Sequence, residues 1–313
     1  MEHVETTTAV ARSRARTANA VRFRRLSLVA AGMLLVIVAT GATVRLTASG
    51  LGCEHWPGCQ PGHPFPEKGY HSYIEFSNRL VAFLTIVATL ASWVVSLFAA
   101  GVANWVRWLA FGTFLGTLLQ APLGAITVYF HLNPYLVLTH LLLSLVVLGI
   151  GVIVAIEARR AAGEAPGDGV PTVVSRGALV LLAALGTLVV TGTFVTASGP
   201  HPGGNDVRRL GDFQPAIWLH VRATAVFGIL FLLLLGWAWR ERARLPWAIR
   251  GSLLLFVLLL AQMAVGETQY RTQLPWWLVL VHVTLAASVW ATAVGLTTLL
   301  WRPLRGFASS HAA

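Results

Sequence analysis

Eight times along the chain, a run of about twenty apolar residues is interrupted only by isolated polar side chains. The runs cover roughly 26–46, 74–98, 107–129, 135–156, 176–197, 215–238, 247–268 and 277–300. Each is long enough to cross about 30 Å of hydrocarbon as a helix. The short inner connections fit neighbouring antiparallel helices, and the first outer loop, about residues 47–73, is longer. The pattern predicts an all-α membrane protein of eight transmembrane helices.

Composition and charge agree with that reading. The 313 residues are 56% hydrophobic and 11% charged, which excludes an ordinary soluble domain. Arg22, Arg24 and Arg25 precede the first run in the manner of a signal peptide. Its apolar core is too long for one, and no small-residue cleavage site follows, so a retained span is expected. With the N-terminus inside, sixteen basic residues fall on inner segments and five on outer ones. This bias puts both termini in the cytoplasm and the chain in the cell membrane. The net charge of +11 is then a topology signal and an attraction to anionic lipid; no platform for nucleic acid accompanies it.

The chain also repeats. His282 follows His140 by 142 positions, and Gln262, Gly266 and Leu274 follow Gln120, Gly124 and Leu132 by the same offset. His220 falls on Asn78. Thr196-Ala-Ser-Gly199 echoes Thr47-Ala-Ser-Gly50. Each half holds an even number of spans, so the repeat is parallel, about an axis along the membrane normal. The expected organisation is a disordered cytoplasmic tail (1–21), a four-helix bundle (22–160), a linker (161–175), a second bundle (176–302) and a cytoplasmic tail (303–313). Pro122 is expected to interrupt the third span.

Asn78, His140, His220 and His282 share one depth near the outer ends of even-numbered spans. Polar side chains in a membrane are expensive and face the bundle interior. Neutral imidazoles at equal depth on facing helices suit haem iron, provided the second ring nitrogen finds a partner. His220 and His282 make such a pair in the second half. His131 and His201, in outer loops, are expected to be solvated. Glu75 lies on the same helix face as Asn78. It is either a boundary carboxylate paired with Arg79 or a proton donor or acceptor beside a reacting group. Arg45, Arg79 and Arg222 either pair with haem propionates or extend toward water. Cys53 and Cys59 fall in the first outer loop, where a structural or redox-active disulfide is permitted. His55 and His63 nearby lack a convincing metal-ligand spacing.

Together these residues resemble the haem A synthase family. The resemblance rests on Gly41-Ala-Thr-Val-Arg-Leu-Thr-Ala-Ser-Gly-Leu-Gly-Cys-Glu-His-Trp-Pro-Gly-Cys59 and Ile74-Glu-Phe-Ser-Asn-Arg-Leu80. It extends to Leu132-Asn-Pro with His140, to Thr191-Gly-Thr-Phe-Val-Thr-Ala-Ser-Gly-Pro-His201, and to His220 and His282. It implies oxidation of the C8 methyl of haem O to the formyl of haem A through hydroxylated intermediates. It implies haem b between His220 and His282, substrate haem in the first half with His140 as iron ligand, an essential Glu75, and Cys53 paired with Cys59. Partners implied are haem O synthase, oxidase assembly factors and an electron-transfer protein. The chain departs from the commonest pattern at Asn78, where many members have His and the style resembles actinobacterial members. An amide is a poor iron ligand, so the first half would leave one face of its haem open. The competing classes are a dihaem membrane cytochrome, a non-catalytic haem chaperone and a transporter.

Overall fold

The computed structural model describes residues 2–53, 58–60, 62, 65–66, 69–164, 170–201, 203 and 207–301. Among them are eight α-helices and no strand: α1 (Glu2–Leu46), α2 (Tyr70–Phe98), α3 (Asn104–Tyr129), α4 (Pro134–Ala161), α5 (Thr172–Ser198), α6 (Phe213–Arg240), α7 (Pro246–Arg271) and α8 (Trp276–Leu300). All eight are long and apolar enough to span a membrane, α1 through its part Ala18–Leu46. The protein is a multi-pass membrane protein.

Three sequence expectations change. Residues 2–21, expected to be disordered, continue α1 as helix. The Ala- and Arg-rich sequence there has no Pro or Gly to stop it. Pro122 does not interrupt α3, which runs through it; in a membrane bundle neighbouring groups compensate the missing hydrogen bond. His201 is not solvated: its Nε2–H donates to the carbonyl of Leu274 at 2.7 Å. Residues 165–169 of the expected linker and the tail after Trp301 lie outside the described residues, as do His55 and His63.

Within each half the sequential helices pack together: α1 on α2, α2 on α3, α3 on α4, and likewise from α5 to α8. The first helix of each half also touches the fourth. Between the halves α4 packs on α8, while α1 on α8 mirrors α5 on α4. That is the contact pattern of a pseudo-two-fold axis along the helices. At this seam, Trp290 of α8 lies over Gly149 of α4, and its indole N–H donates to the carbonyl of Leu145 at 2.7 Å.

The two interiors are filled differently. The seam of α6 below His220 carries Phe227 and Phe231, fully buried among Leu181, Leu185 and Leu255. At the matching positions 142 residues earlier α2 carries Thr85 and Thr89, also buried, continued by Ser92 and Ser96. Their hydroxyls bond carbonyls of their own helix or, for Ser92, the Ser27 hydroxyl at 2.9 Å. The first bundle is therefore lined by small side chains where the second is packed with rings.

Candidate haem-binding layer

Asn78, His140, His220 and His282 lie six to eight residues into α2, α4, α6 and α8. At 1.5 Å per residue this is roughly 9–12 Å along each helix. All four are half-buried. Each histidine rests against a neighbouring helix where the chain has no side chain. A Cβ at Gly266 of α7 would come within 3.1 Å of His282 Cε1, and one at Gly192 of α5 within 3.0 Å of His220 Cε1. In the first bundle a Cβ at Gly124 of α3 would stand 3.7 Å from His140 Cε1.

Each second-bundle imidazole has a side-chain partner on one ring nitrogen. Thr191 Oγ1 and His220 Nδ1 are 3.2 Å apart and share a hydrogen bond. Gln262 Nε2 lies 3.1 Å from His282 Nε2. His282 Nδ1 is buried without a partner among the described residues, and so is Gln262 Oε1. The first bundle repeats this, with His140 Nδ1 and Gln120 Oε1 buried and unpartnered. Buried polar atoms are normally satisfied. A repeated layer of orphaned nitrogens and amide oxygens therefore fits a polar group or metal centre bound between the helices.

Asn78 has a different partner: the Thr40 hydroxyl donates to its Oδ1 at 2.7 Å. Here the sequence carried a signal that a fixed offset missed. Thr40-Gly41 and Thr191-Gly192 precede the two Thr-Ala-Ser-Gly segments, but two extra residues intervene in the first half. Their threonines bond Asn78 and His220 respectively. The turns before α4 and α8 are twins too. His131 and Leu132, like Gln273 and Leu274, take left-handed φ of 51°, 58°, 63° and 61°, uncommon for side chains of this size.

Glu75 is buried, and both its oxygens are engaged. Oε2 accepts from the Cys53 N–H at 2.8 Å, and Oε1 from Arg79 Nη2 at 2.6 Å. Arg79 also donates to the carbonyl of Gly58. Cys53 and Cys59 form a disulfide. The acid, one turn outward of Asn78, and the arginine next to it thus fasten both ends of the disulfide loop to α2. A second tie joins Ser49 Oγ to His71 Nδ1 at 2.9 Å. Arg222 is exposed, its guanidinium 5.8 Å from the Trp218 ring centroid. Arg45 reaches across the seam to the carbonyl of Thr196 at 2.5 Å.

Comparison with known proteins decides the family. The sequence pattern of the cytochrome oxidase assembly protein family matches residues 24–294, from within the first span into the eighth. The chain belongs to this family. Among the family's curated relatives, the protein named heme A synthase from Bacillus pumilus is 34% identical over 125 residues, 39% of this chain and 40% of the relative. The heme A synthase of Bacillus licheniformis is 35% identical over 115 residues, 36% and 37% of the two chains. That of Symbiobacterium thermophilum is 38% identical over 109 residues, 34% of each. The chain thus spans about two fifths or less of the length of these relatives in the matched stretches.

Proposed function

We propose that this family member is a haem A synthase, a membrane oxidoreductase that converts the C8 methyl of haem O to the formyl of haem A. The observation that supports it most is the repeated notch of a histidine against a bare glycine, in a chain whose relatives carry that name. In this reading His220 and His282 hold a haem b in the second bundle, and His140 binds the iron of the substrate haem in the first. The bound haem b supplies one-electron redox chemistry. The chain's residues do the rest. Thr191 fixes the tautomer of His220 by its bond at Nδ1, leaving Nε2 for iron. Gln262 holds Nε2 of His282 and must swing aside if that nitrogen is to bind.

In the first bundle Asn78 contributes no ligand. Its carbonyl oxygen is held by Thr40, so this position would supply no second ligand to the substrate's iron. Glu75 and Arg79 hold the two ends of the disulfide loop to α2. Any proton transfer by Glu75 begins with release of one of its two bonds. The small Thr and Ser side chains below the layer favour a group that enters and leaves, whereas the ring-packed second bundle suits a permanent cofactor.

The test is extraction and chromatographic typing of haems from purified protein, co-expressed with an enzyme that makes haem O. Haem b together with haem A, or its hydroxylated precursor, is expected. Haem b alone, despite abundant haem O, would reassign the protein as an electron-transfer cytochrome.

A further inference from the structure

In each bundle the layer side chain of the second helix is held by a threonine of the first. Thr40 bonds Asn78, and Thr191 bonds His220. The Thr191 hydroxyl gives its own proton to the carbonyl of Leu188 at 2.9 Å, so its oxygen accepts from His220 Nδ1–H. The histidines of the fourth helices lack such a support among the described residues: His140 Nδ1 and His282 Nδ1 are buried and unpartnered.

The third helices carry the matching acceptors. Gln120 and Gln262 each stand twenty residues before the histidine and four before the notch glycine, Gly124 or Gly266. Four residues are about one helical turn, so amide and notch share a face. Those helices pack on the fourth, α3 on α4 and α7 on α8. The Oε1 atoms of both glutamines are buried and, among the described residues, unpartnered. Gln262 Nε2 stands 3.1 Å from His282 Nε2. An amide nitrogen only donates, so that ring nitrogen accepts and the ring proton sits on Nδ1. The second bundle thus holds an orphaned donor and an orphaned acceptor on two groups already in contact. The first bundle repeats both orphans at the same offset of 142 residues. Two unmade bonds are costly inside a membrane, and one pairing in each bundle would remove both.

We propose that Gln262 and Gln120 are positioning residues whose amide oxygens accept the Nδ1–H of His282 and His140 once Nε2 of each ring binds iron. The Gln262 carboxamide that caps Nε2 then turns to Nδ1, exchanging one hydrogen bond for another. A metal-bound histidine ordinarily donates its other ring N–H in this way, which orients the ring and raises its basicity. Thr191 does this for His220, and the glutamines complete the set. The inference rests on the iron-ligand roles assigned above to His282 and His140, and is independent of the oxidation of haem O.

The full chain, purified from haem-deficient cells, is titrated with haemin. The complex is then read by its midpoint potential and by electron paramagnetic resonance of the ferric form. Gln262→Leu, Gln262→Glu and Gln120→Leu are compared with Gln214→Leu, which alters an exposed amide of α6. Gln262→Leu is expected to weaken haemin binding about tenfold or more. Its potential and its highest g value should both rise, because a ring without an acceptor donates less to ferric iron. Gln262→Glu keeps an acceptor and should recover binding, with both readouts below those of the wild type. A through-space charge moves the potential but not the g values. Gln120→Leu should weaken the haemin equivalent that His140→Ala removes. If Gln262→Leu matches the wild type in affinity, potential and g values, the proposal is overturned. Weaker binding with unchanged g values means packing alone and overturns it too. An effect in Gln262→Leu without one in Gln120→Leu overturns the claim for the first bundle. Should the buried charge keep Gln262→Glu from folding, the potential and g values of Gln262→Leu decide. A wild type that binds no haemin overturns the proposal together with the proposed function. The expected shifts in a protein that makes no haem A leave it standing and remove only the synthase reading.

Discussion

A histidine set against a glycine on the next helix is the smallest unit that the two halves share, and it makes graded predictions. Gly192→Ala and Gly266→Ala each place a methyl within about 3 Å of an imidazole carbon. Crowding of this kind costs about 1–3 kcal/mol or displaces the ring. The haem-to-protein ratio after purification is expected to fall several-fold in both variants. Gly124→Ala meets His140 at an ordinary contact distance and is expected to keep wild-type haem content. Equal losses in all three would dissociate the effect from ring crowding. Glu75 makes a second prediction. Glu75→Ala leaves the buried Cys53 N–H without its acceptor, at about 1–3 kcal/mol. The loop should loosen, and the Cys53–Cys59 disulfide should react faster with an added thiol, as thiol titration would show. An unaltered rate would mean that the loop is held by its other ties. The sequence left Glu75 open between a paired and a reacting carboxylate. It could not reveal the Cys53 contact, because a hydrogen bond across 22 residues depends on where the loop folds back.

At the scale of helices, the contrast between α2 and α6 was present in the sequence as Thr85 and Thr89 against Phe227 and Phe231. Its meaning needed the packing, since apolar periodicity in a membrane helix does not say which face is inward. Phe227→Thr removes a fully buried ring from the second bundle. By analogy with other large-to-small core changes it should cost about 3–5 kcal/mol, seen as a lower unfolding temperature in detergent. Thr85→Val removes a hydroxyl that bonds only its own helix, and less than about 1 kcal/mol is expected. If the two changes cost the same, the difference in filling is not energetic. The spans themselves were legible because about twenty apolar residues have few alternatives in a bilayer. The helical continuation of α1 back to Glu2 was not, since a polar stretch gives no burial signal.

For the whole molecule, the arginine bias predicts that reporters fused to either terminus, or inserted near residue 167 between α4 and α5, report the cytoplasm. Reporters in the first outer loop or near residue 209 should report the opposite side. A terminus found outside would invert the outer layer of histidines and refute the orientation. The sequence by itself determined the number of spans and the parallel repeat, and it set the expected orientation and the four positions of the expected ligand layer. These follow from properties summed along the chain: hydropathy, charge and a fixed offset. Only the tertiary structure decided what each polar group meets. It gave Glu75 to Cys53 and Arg79, Asn78 to Thr40, His220 to Thr191, and Arg45 to the carbonyl of Thr196 across the seam. The reason is physical. A helix fixes which residues share a face, but the partner across the gap is set by how eight helices pack, and a single chain position carries no record of that neighbour.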